Sequence, residues 1–528
     1  MSSSKPGSNV AGEGTSSILQ RFLDFLEYVG NKFPSPFSLF MILATLVLIL
    51  SFIFDGTAAT YMGAGNKAVT VKVVNQISVS SFHSFLADMV KNFVSFPPLG
   101  LVVVMMMALG LAESTGLITA VVRRVLLNVP PWGITAAVIF IGINGNLASD
   151  AATVIIPAVA ATVYAGMGRN PLIGMSVAFA GTQAGFSANL LPAGTDALIA
   201  GITSTATKLL PQTMNSPVHV LINYYFMASS VIILTIVGTI VAEKVVAPRL
   251  DKLLPYMNLS AITQSHELTP EEKKGLKYAG WTTVIFILIL LAMTIPETGL
   301  LRDPKTHVLV PRSPLLSGVI PLIFLFFISV GMAFGIGKGV IKSEADIPKL
   351  MANGVGGAVS FIVVALPASQ FIAWFTKSNL ATVIAIQGAH FLQSVDFTGI
   401  PLIIGFMLLC GVADFLLTSG SAKWVFFAPI FVPMFGLLGY EPALTQAAYR
   451  VGESITNPIS PLNYYIPVLL GIMTHYVKSD ERKIGYGTII AAQIPFAFWF
   501  LITWGGWLIV FMMMNWPLGP GANIYLPR

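Results

Sequence analysis

Charge is what this sequence is short of. Asp, Glu, Lys and Arg make up 10% of its 528 residues, against ~25% in an ordinary soluble domain. With 55% hydrophobic residues and a mean hydropathy of +0.79, so few charges cannot cover a water-facing surface. A soluble enzyme, a nucleic-acid binder and a disordered chain are excluded, and an integral membrane protein remains. Cysteine is nearly absent as well. Cys410 is the one in the chain, so no internal disulfide can form, and in its apolar run it reads as a buried small residue. Also missing are HExxH, the P-loop, the Rossmann fingerprint and the nucleophile elbow, which removes the basis for ATP-driven pumping or intramembrane hydrolysis. No enzymatic activity is expected, and no cofactor beyond a coupling ion.

Long stretches without charge are what the chain has instead. They recur from 33–54 to 484–527, and ~20 apolar residues cross a bilayer as helix. Several are short or interrupted by Gly, Pro, Ser and Asn, which frees backbone groups that lipid cannot satisfy. No cleavable signal peptide is evident, because the first apolar run is long enough to span. The net charge of +6 (29 basic, 23 acidic) fits basic cytoplasmic loops. Arg21, Lys32, Arg123, Arg124 and the loops 244–277 and 478–483 mark that side, giving a cytoplasmic N-terminus, with 55–91 and 297–312 outward. Within 55–91 the alternating VTVKVVNQISVSSF reads either as a short strand pair or as an irregular loop.

Two regions look like cousins. Residues 92–205 carry an apolar helix, then GINGNLASDAATVIIP, then a helix broken at FSANLLPAGTDALIAGIT; residues 350–478 carry an apolar helix, TSGSAKWVFFAPIFVP, and a helix broken at RVGESITNPISPLNYY. Paired interruptions point to an inverted-repeat transporter with a site at the midplane. The implied organisation is a flexible cytoplasmic tail (1–20), a first span and outward loop (21–91), repeat one (92–205), scaffold helices (206–349), repeat two (350–478), and a last span with C-terminal tail (479–528).

Ionisable groups inside spans cost roughly 2.5–3.5 kcal/mol each, so Asp150, Asp196, Asp396, Asp414, Lys423, Arg450 and Glu453 are functional candidates. The competing reading places each at a helix end near the headgroups. Arg450 and Glu453, three apart, share a helical face and could pair. Alternatively the guanidinium offers a planar fork to a carboxylate or sulfonyl substrate, and Glu453 carries a coupling proton. Asn189, Pro192 and Gly194 before Asp196, and Asn457, Pro458 and Pro461 after Glu453, leave half-helix ends suited to ions. Asn146, Ser149, Ser419 and Ser421 add hard oxygens. Trp424 offers a ring to an aromatic substrate; Trp499, Trp504, Trp507 and Trp516 read as interfacial belt residues. His219, His390 and His475 read as satisfied or interfacial.

The segments SGSAKWVFFAPIFVPMF, AAYRVGESITNPISPLNYY, FAGTQAGFSANLLPAGTDALIAGIT and NGNLASDAATVIIP resemble the AbgT family, the p-aminobenzoyl-glutamate transporters, and the likeness extends over nearly the whole chain. It implies an all-α polytopic fold of about nine spanning helices and two re-entrant hairpins, near 146–164 and 418–437, in bowl-shaped protomers that form a homodimer. Family positions lining the site match Asp196, Ser421, Trp424, Pro442, Arg450, Glu453 and Pro461. The expected activity is ion-coupled secondary transport across the bacterial inner membrane. The cargo is p-aminobenzoyl-glutamate, or sulfonamides for export, moved by protons; Na⁺ held by Asn146, Ser149, Asp414 and Asn457 is the alternative coupling ion. Three positions depart from the family pattern: Glu453 stands in place of Asp, Asp414 in place of Asn, and Lys423 in place of a neutral residue. A Na⁺/dicarboxylate carrier, and a channel or non-transporting scaffold, are the rival readings.

Overall fold

The computed structural model describes residues 34–62, 68–257, 268–310, 313–417, 419–474, 476–477 and 485–527. The expected N-terminal tail, the 478–483 loop, His475 and the middle of the 244–277 loop lie outside them. Helix α1 (Pro36–Ile53) starts where Ser35 caps the Ser38 amide and a proline takes the first helical position. The outward segment then forms an antiparallel pair, β1 (Ala58–Met62) and β2 (Ala68–Lys72), with Ala58 opposite Lys72 and Met62 opposite Ala68. The alternating patch therefore supplies one strand rather than two. Its partner lies upstream, and its tail enters α2 (Val79–Val94).

The rest is helix. Repeat one runs through α3 (Pro97–Ser114), α4 (Leu117–Leu126), α5 (Ile134–Ile143), α6 (Ser149–Gly166), α7 (Pro171–Ala184) and α8 (Gly194–Ala206). Helix α9 (Tyr224–Val241), α10 (Pro270–Thr294) and α11 (Val319–Lys338) follow. Repeat two is α12 (Asp346–Lys377), α13 (Leu380–Ser394), α14 (Gly399–Asp414), α15 (Gly420–Leu437), α16 (Pro442–Thr456) and α17 (Tyr465–Thr474), before a final α18 (Tyr486–Met514). The order is the same twice: a long helix, a second helix, a helical hairpin (α5–α6, α14–α15), and a helix interrupted after its first half (α7/α8, α16/α17). Among the described residues eight helices are long and apolar enough to cross a bilayer, or nine if α4 and the start of the first hairpin, bent by 118°, count as one span. Helix α5, at ten residues, is ~15 Å long and reaches about half way through a ~30 Å hydrocarbon layer.

Burial separates the layers. Every residue of α7 and all but the last of α16 are buried, whereas α10 buries only Glu272, Gly275 and Ala279. Three of the hairpin legs pack chiefly on the broken helix that follows them, α5 and α6 on α7 and α14 on α16, whereas α15 packs more on α13 and on α8 of repeat one than on α16. The first helices of the two repeats, α3 and α12, cross with their backbones touching: a Cβ on Gly110 or on Gly354 would overlap the opposite chain. Only glycine permits that approach. Gly110→Ala and Gly354→Ala are each expected to force the crossing apart and destabilise the fold by about 1–3 kcal/mol, read as a lower unfolding midpoint in detergent. Unchanged midpoints in both variants would show a looser crossing than this one.

Candidate functional site

Both interrupted helices expose backbone groups that need partners. After Gly185 caps α7, the chain is irregular until α8, whose first turn carries Asp196. Asp196 Oδ2 accepts from the Ala193 amide at 2.6 Å and from Asn189 Nδ2 at 2.7 Å. This N-terminal position also suits a carboxylate electrostatically. Its other oxygen, Oδ1, lies 2.6 Å from Arg450 Nη1, with both side chains buried. Arg450 Nη2 donates to the Ser187 carbonyl at 2.6 Å. The guanidinium of α16 thus crosses to repeat one and satisfies its break. The spacing of Arg450 and Glu453 allows a pair, but Arg450 is committed to Asp196 instead.

Glu453, one turn along α16, faces a cavity of about 280 Å³ enclosed by both breaks and the tip of the second hairpin. Repeat two lines it with Ser419, Ser421, Glu453 and Asn457; repeat one adds Thr153, Gln183 and Thr195; Phe186, Tyr464 and Tyr465 give it aromatic walls. Among the described residues Glu453 has no ion-pair partner, and Ser454 Oγ donates to its Oε2 at 3.3 Å. Gly420 makes room for this carboxylate, since a Cβ there would collide with Oε1. The repeats meet again across the cavity, where Asn463 Nδ2 donates to Gln183 Oε1 at 2.8 Å and Gln183 Nε2 to Thr153 Oγ1 at 3.1 Å.

The hairpin tips are fastened differently. In the first, Asn144 Oδ1 accepts the Leu190 amide at 2.9 Å and Asn146 donates to the Phe186 carbonyl. In the second, Lys423 forms a buried ion pair with Asp414, whose Oδ2 accepts from Thr456 Oγ1 at 3.2 Å. Asp414 is therefore engaged by an ammonium group, which does not fit the expectation that it helps hold Na⁺ with Asn146, Ser149 and Asn457. Of those, Asn457 lines the cavity, and the side chains of Ser149 and Asp150 lie outside the described residues.

Trp424 is buried with no face toward the cavity. Tyr449 stacks on it at 4.4 Å, and its Nε1 donates to Thr203 Oγ1 at 2.9 Å. From Thr203 a chain of bonds continues through Gln446 to Asn223. In this structure the ring stacks on Tyr449 rather than lining the cavity. Pro442 opens α16 eleven residues before Glu453, outside the cavity walls, and the Pro461 carbonyl accepts from Tyr486 at 2.7 Å. Asp396 sits exposed at a turn with φ of 53°, as the helix-end reading has it. Trp504 is fully buried against Phe226 rather than interfacial. Gln183, Asn463, Thr153 and Phe186 were missed by reasoning from charge alone. The signal for Gln183 and Asn463 was a lone amide within each small-residue run.

The comparisons agree with this architecture. A model of the AbgT putative transporter family matches residues 21–526. The chain is 36% identical to the p-aminobenzoyl-glutamate transport protein of Escherichia coli (strain K12), over 96% of this chain and 97% of that one. The Alcanivorax borkumensis YdaH transporter superposes with a TM-score of 0.85 at 30% identity, over 92% of this chain and all of that one. Neisseria gonorrhoeae MtrF, described with a class of antimetabolite efflux pumps, gives 0.85 at 34% identity over 95% of this chain and all of that one. The chain belongs to the AbgT family and is a membrane transporter, not an enzyme.

Proposed function

We propose that this transporter is secondary active and proton-coupled, and that it moves aromatic amide carboxylates of the p-aminobenzoyl-glutamate type, with sulfonamide-like antimetabolites as further cargo for export. The observation that carries this reading is the Glu453 carboxylate, buried and without an ion-pair partner among the described residues, at a cavity shared by both breaks. A lone carboxylate in such a place is tolerated when it holds a proton or when a cation stands beside it. Occupancy by a proton thus changes the charge that a substrate meets. The relatives' printed roles supply the substrate class, and the rings of Phe186, Tyr464 and Tyr465 suit an aromatic molecule better than a small aliphatic dicarboxylate. Placement in the bacterial inner membrane with the N-terminus inside rests on the basic loops, and a homodimer rests on the family likeness.

The experiment is flux of labelled p-aminobenzoyl-glutamate into proteoliposomes under imposed pH or Na⁺ gradients. Glu453→Gln is expected to abolish accumulation driven by the pH gradient while passive counterflow continues, because the amide keeps size and polarity but cannot titrate. Wild-type accumulation in that variant would remove Glu453 from coupling. Arg450→Ala strands Asp196 in the interior, so it should lower stability by about 3–5 kcal/mol, with part recovered in Arg450→Met/Asp196→Asn. A variant that unfolds like the wild type but binds substrate poorly would instead put Arg450 in direct contact with cargo. Phe186→Ala should weaken aromatic ligands by about 0.5–1.5 kcal/mol. Trp424→Ala should act mainly on stability, by about 3–5 kcal/mol. Ligand titration and thermal unfolding of both variants separate these effects, and the reverse pattern would return Trp424 to the binding surface.

A further inference from the structure

The two hairpins are one device built twice, and they differ in charge. In the first, α5 is followed at once by Asn144, which accepts the Leu190 amide of the adjoining break at 2.9 Å. The fourth residue of α6 is Ala152. In the second, α14 ends in Asp414, which accepts from Thr456 at the end of α16, and the fourth residue of α15 is Lys423, bonded to Asp414. Asp414 is 0% and Lys423 2% exposed. At matching places in the fold, a neutral amide fastens one hairpin to its broken helix, while the other uses a full carboxylate that must be neutralised. The second hairpin's negative charge at 414 and positive charge at 423 are therefore a single feature, because they meet.

The surroundings are those that a small hard cation seeks. Around Asp414 stand its own carboxylate, the Thr456 hydroxyl, and the Ser460 hydroxyl, which donates to the Asp414 carbonyl at 3.4 Å. They lie at the C-terminal end of a half-helix, where carbonyl-rich ends hold Na⁺ in broken-helix transporters. The position beside the carboxylate is taken by Lys423 Nζ. A sodium ion placed there would meet an ammonium of the same sign at close range with little solvent to screen it.

We propose that Lys423 is a tethered cation that stands in for a diffusible sodium ion at the second hairpin, so that this hairpin closes onto α16 without Na⁺. The consequence for coupling rests on the transporter reading above, and it leaves Glu453 as the group at the cavity whose charge can change. The site at Asp414 then does not sense Na⁺.

Thermal unfolding of the purified protein in NaCl, KCl and choline chloride at matched ionic strength tests this without any substrate. Wild-type midpoints should coincide in the three salts. In Lys423→Met the carboxylate loses its partner, so the midpoint should fall in choline and KCl and rise saturably with Na⁺, by about 3–6 °C at saturation. Asp414→Asn/Lys423→Met imitates the first hairpin and should show no response to Na⁺. A saturable, Na⁺-specific rise in the wild type would overturn the proposal, as would a folded Lys423→Met that ignores Na⁺. If Lys423→Met does not fold, the wild type and the double variant still decide, since a Na⁺ response in either one overturns it. Failure of p-aminobenzoyl-glutamate flux would refute the substrate reading and leave these midpoints unaffected.

Discussion

A helix interrupted inside a bilayer leaves amides and carbonyls with no water to bond, and the protein itself must supply every partner. The buried contact of Arg450 with Asp196 and the Ser187 carbonyl is the answer on which the centre of this molecule depends. It fixes the break in repeat one from a helix in repeat two. It also explains why α16, which carries Thr445, Gln446, Arg450, Glu453 and Ser454, is buried almost end to end. Most of its polar side-chain atoms find partners, as burial requires, with Thr445 Oγ1 and Arg450 Nε the exceptions. Gln446 reaches Thr203 and Asn223, and Arg450 reaches the first break.

The charges around the cavity obey a simple sum. Asp196 is matched by Arg450, and Asp414 by Lys423. Glu453 is the fifth buried ionisable group there and has no counterion among the described residues. Four charges that cancel in pairs make an electrostatic frame around one unpaired carboxylate.

Much of this was legible in the sequence for physical reasons. A charge content of 10% and repeated apolar runs dictate a membrane protein, and the matched interruptions at 185–193 and 457–464 locate its centre, because small and polar residues accumulate where backbone groups need partners. Asp196, Arg450 and Glu453 stood out because each is too costly to bury without a purpose. The pairing among them was not legible. Helical spacing favours Arg450 with Glu453, yet the partner comes from a helix more than 250 residues away in the chain, and only the fold brings the two together. Trp424 was ambiguous for a different reason. A tryptophan beside a hairpin tip looks equally suited to substrate or core, and in this structure Tyr449 stacks on it.

Buried ion pairs are weak sources of net stability, but breaking one by separating its partners costs about 3–5 kcal/mol. The location of each pair therefore constrains which parts of the molecule can part company. Arg450–Asp196 and the Asn463–Gln183 bond tie the two broken helices across the repeats, so a movement that opened the cavity between them would strand charges in a dry interior. The contacts outward are mixed: Gln446 bonds Asn223 before α9 and Arg169 pairs with Glu243 beyond it, beside apolar surfaces. Helix α8 rests on α3 through Gly194 and Gly201, against Met105, Leu109 and Pro98. An apolar cavity of about 470 Å³ separates the first hairpin from α10 and α11. Meanwhile α4 is held to α10 through Arg123 and Glu272, and Glu272 also takes Lys338 of α11, while the chain bends by 118° into the hairpin just beyond. Displacement of the broken helices and hairpins as one body along these apolar walls breaks no buried charge pair, whereas their separation breaks at least one. On energetic grounds, parting the two broken helices from each other is the costlier of the two movements.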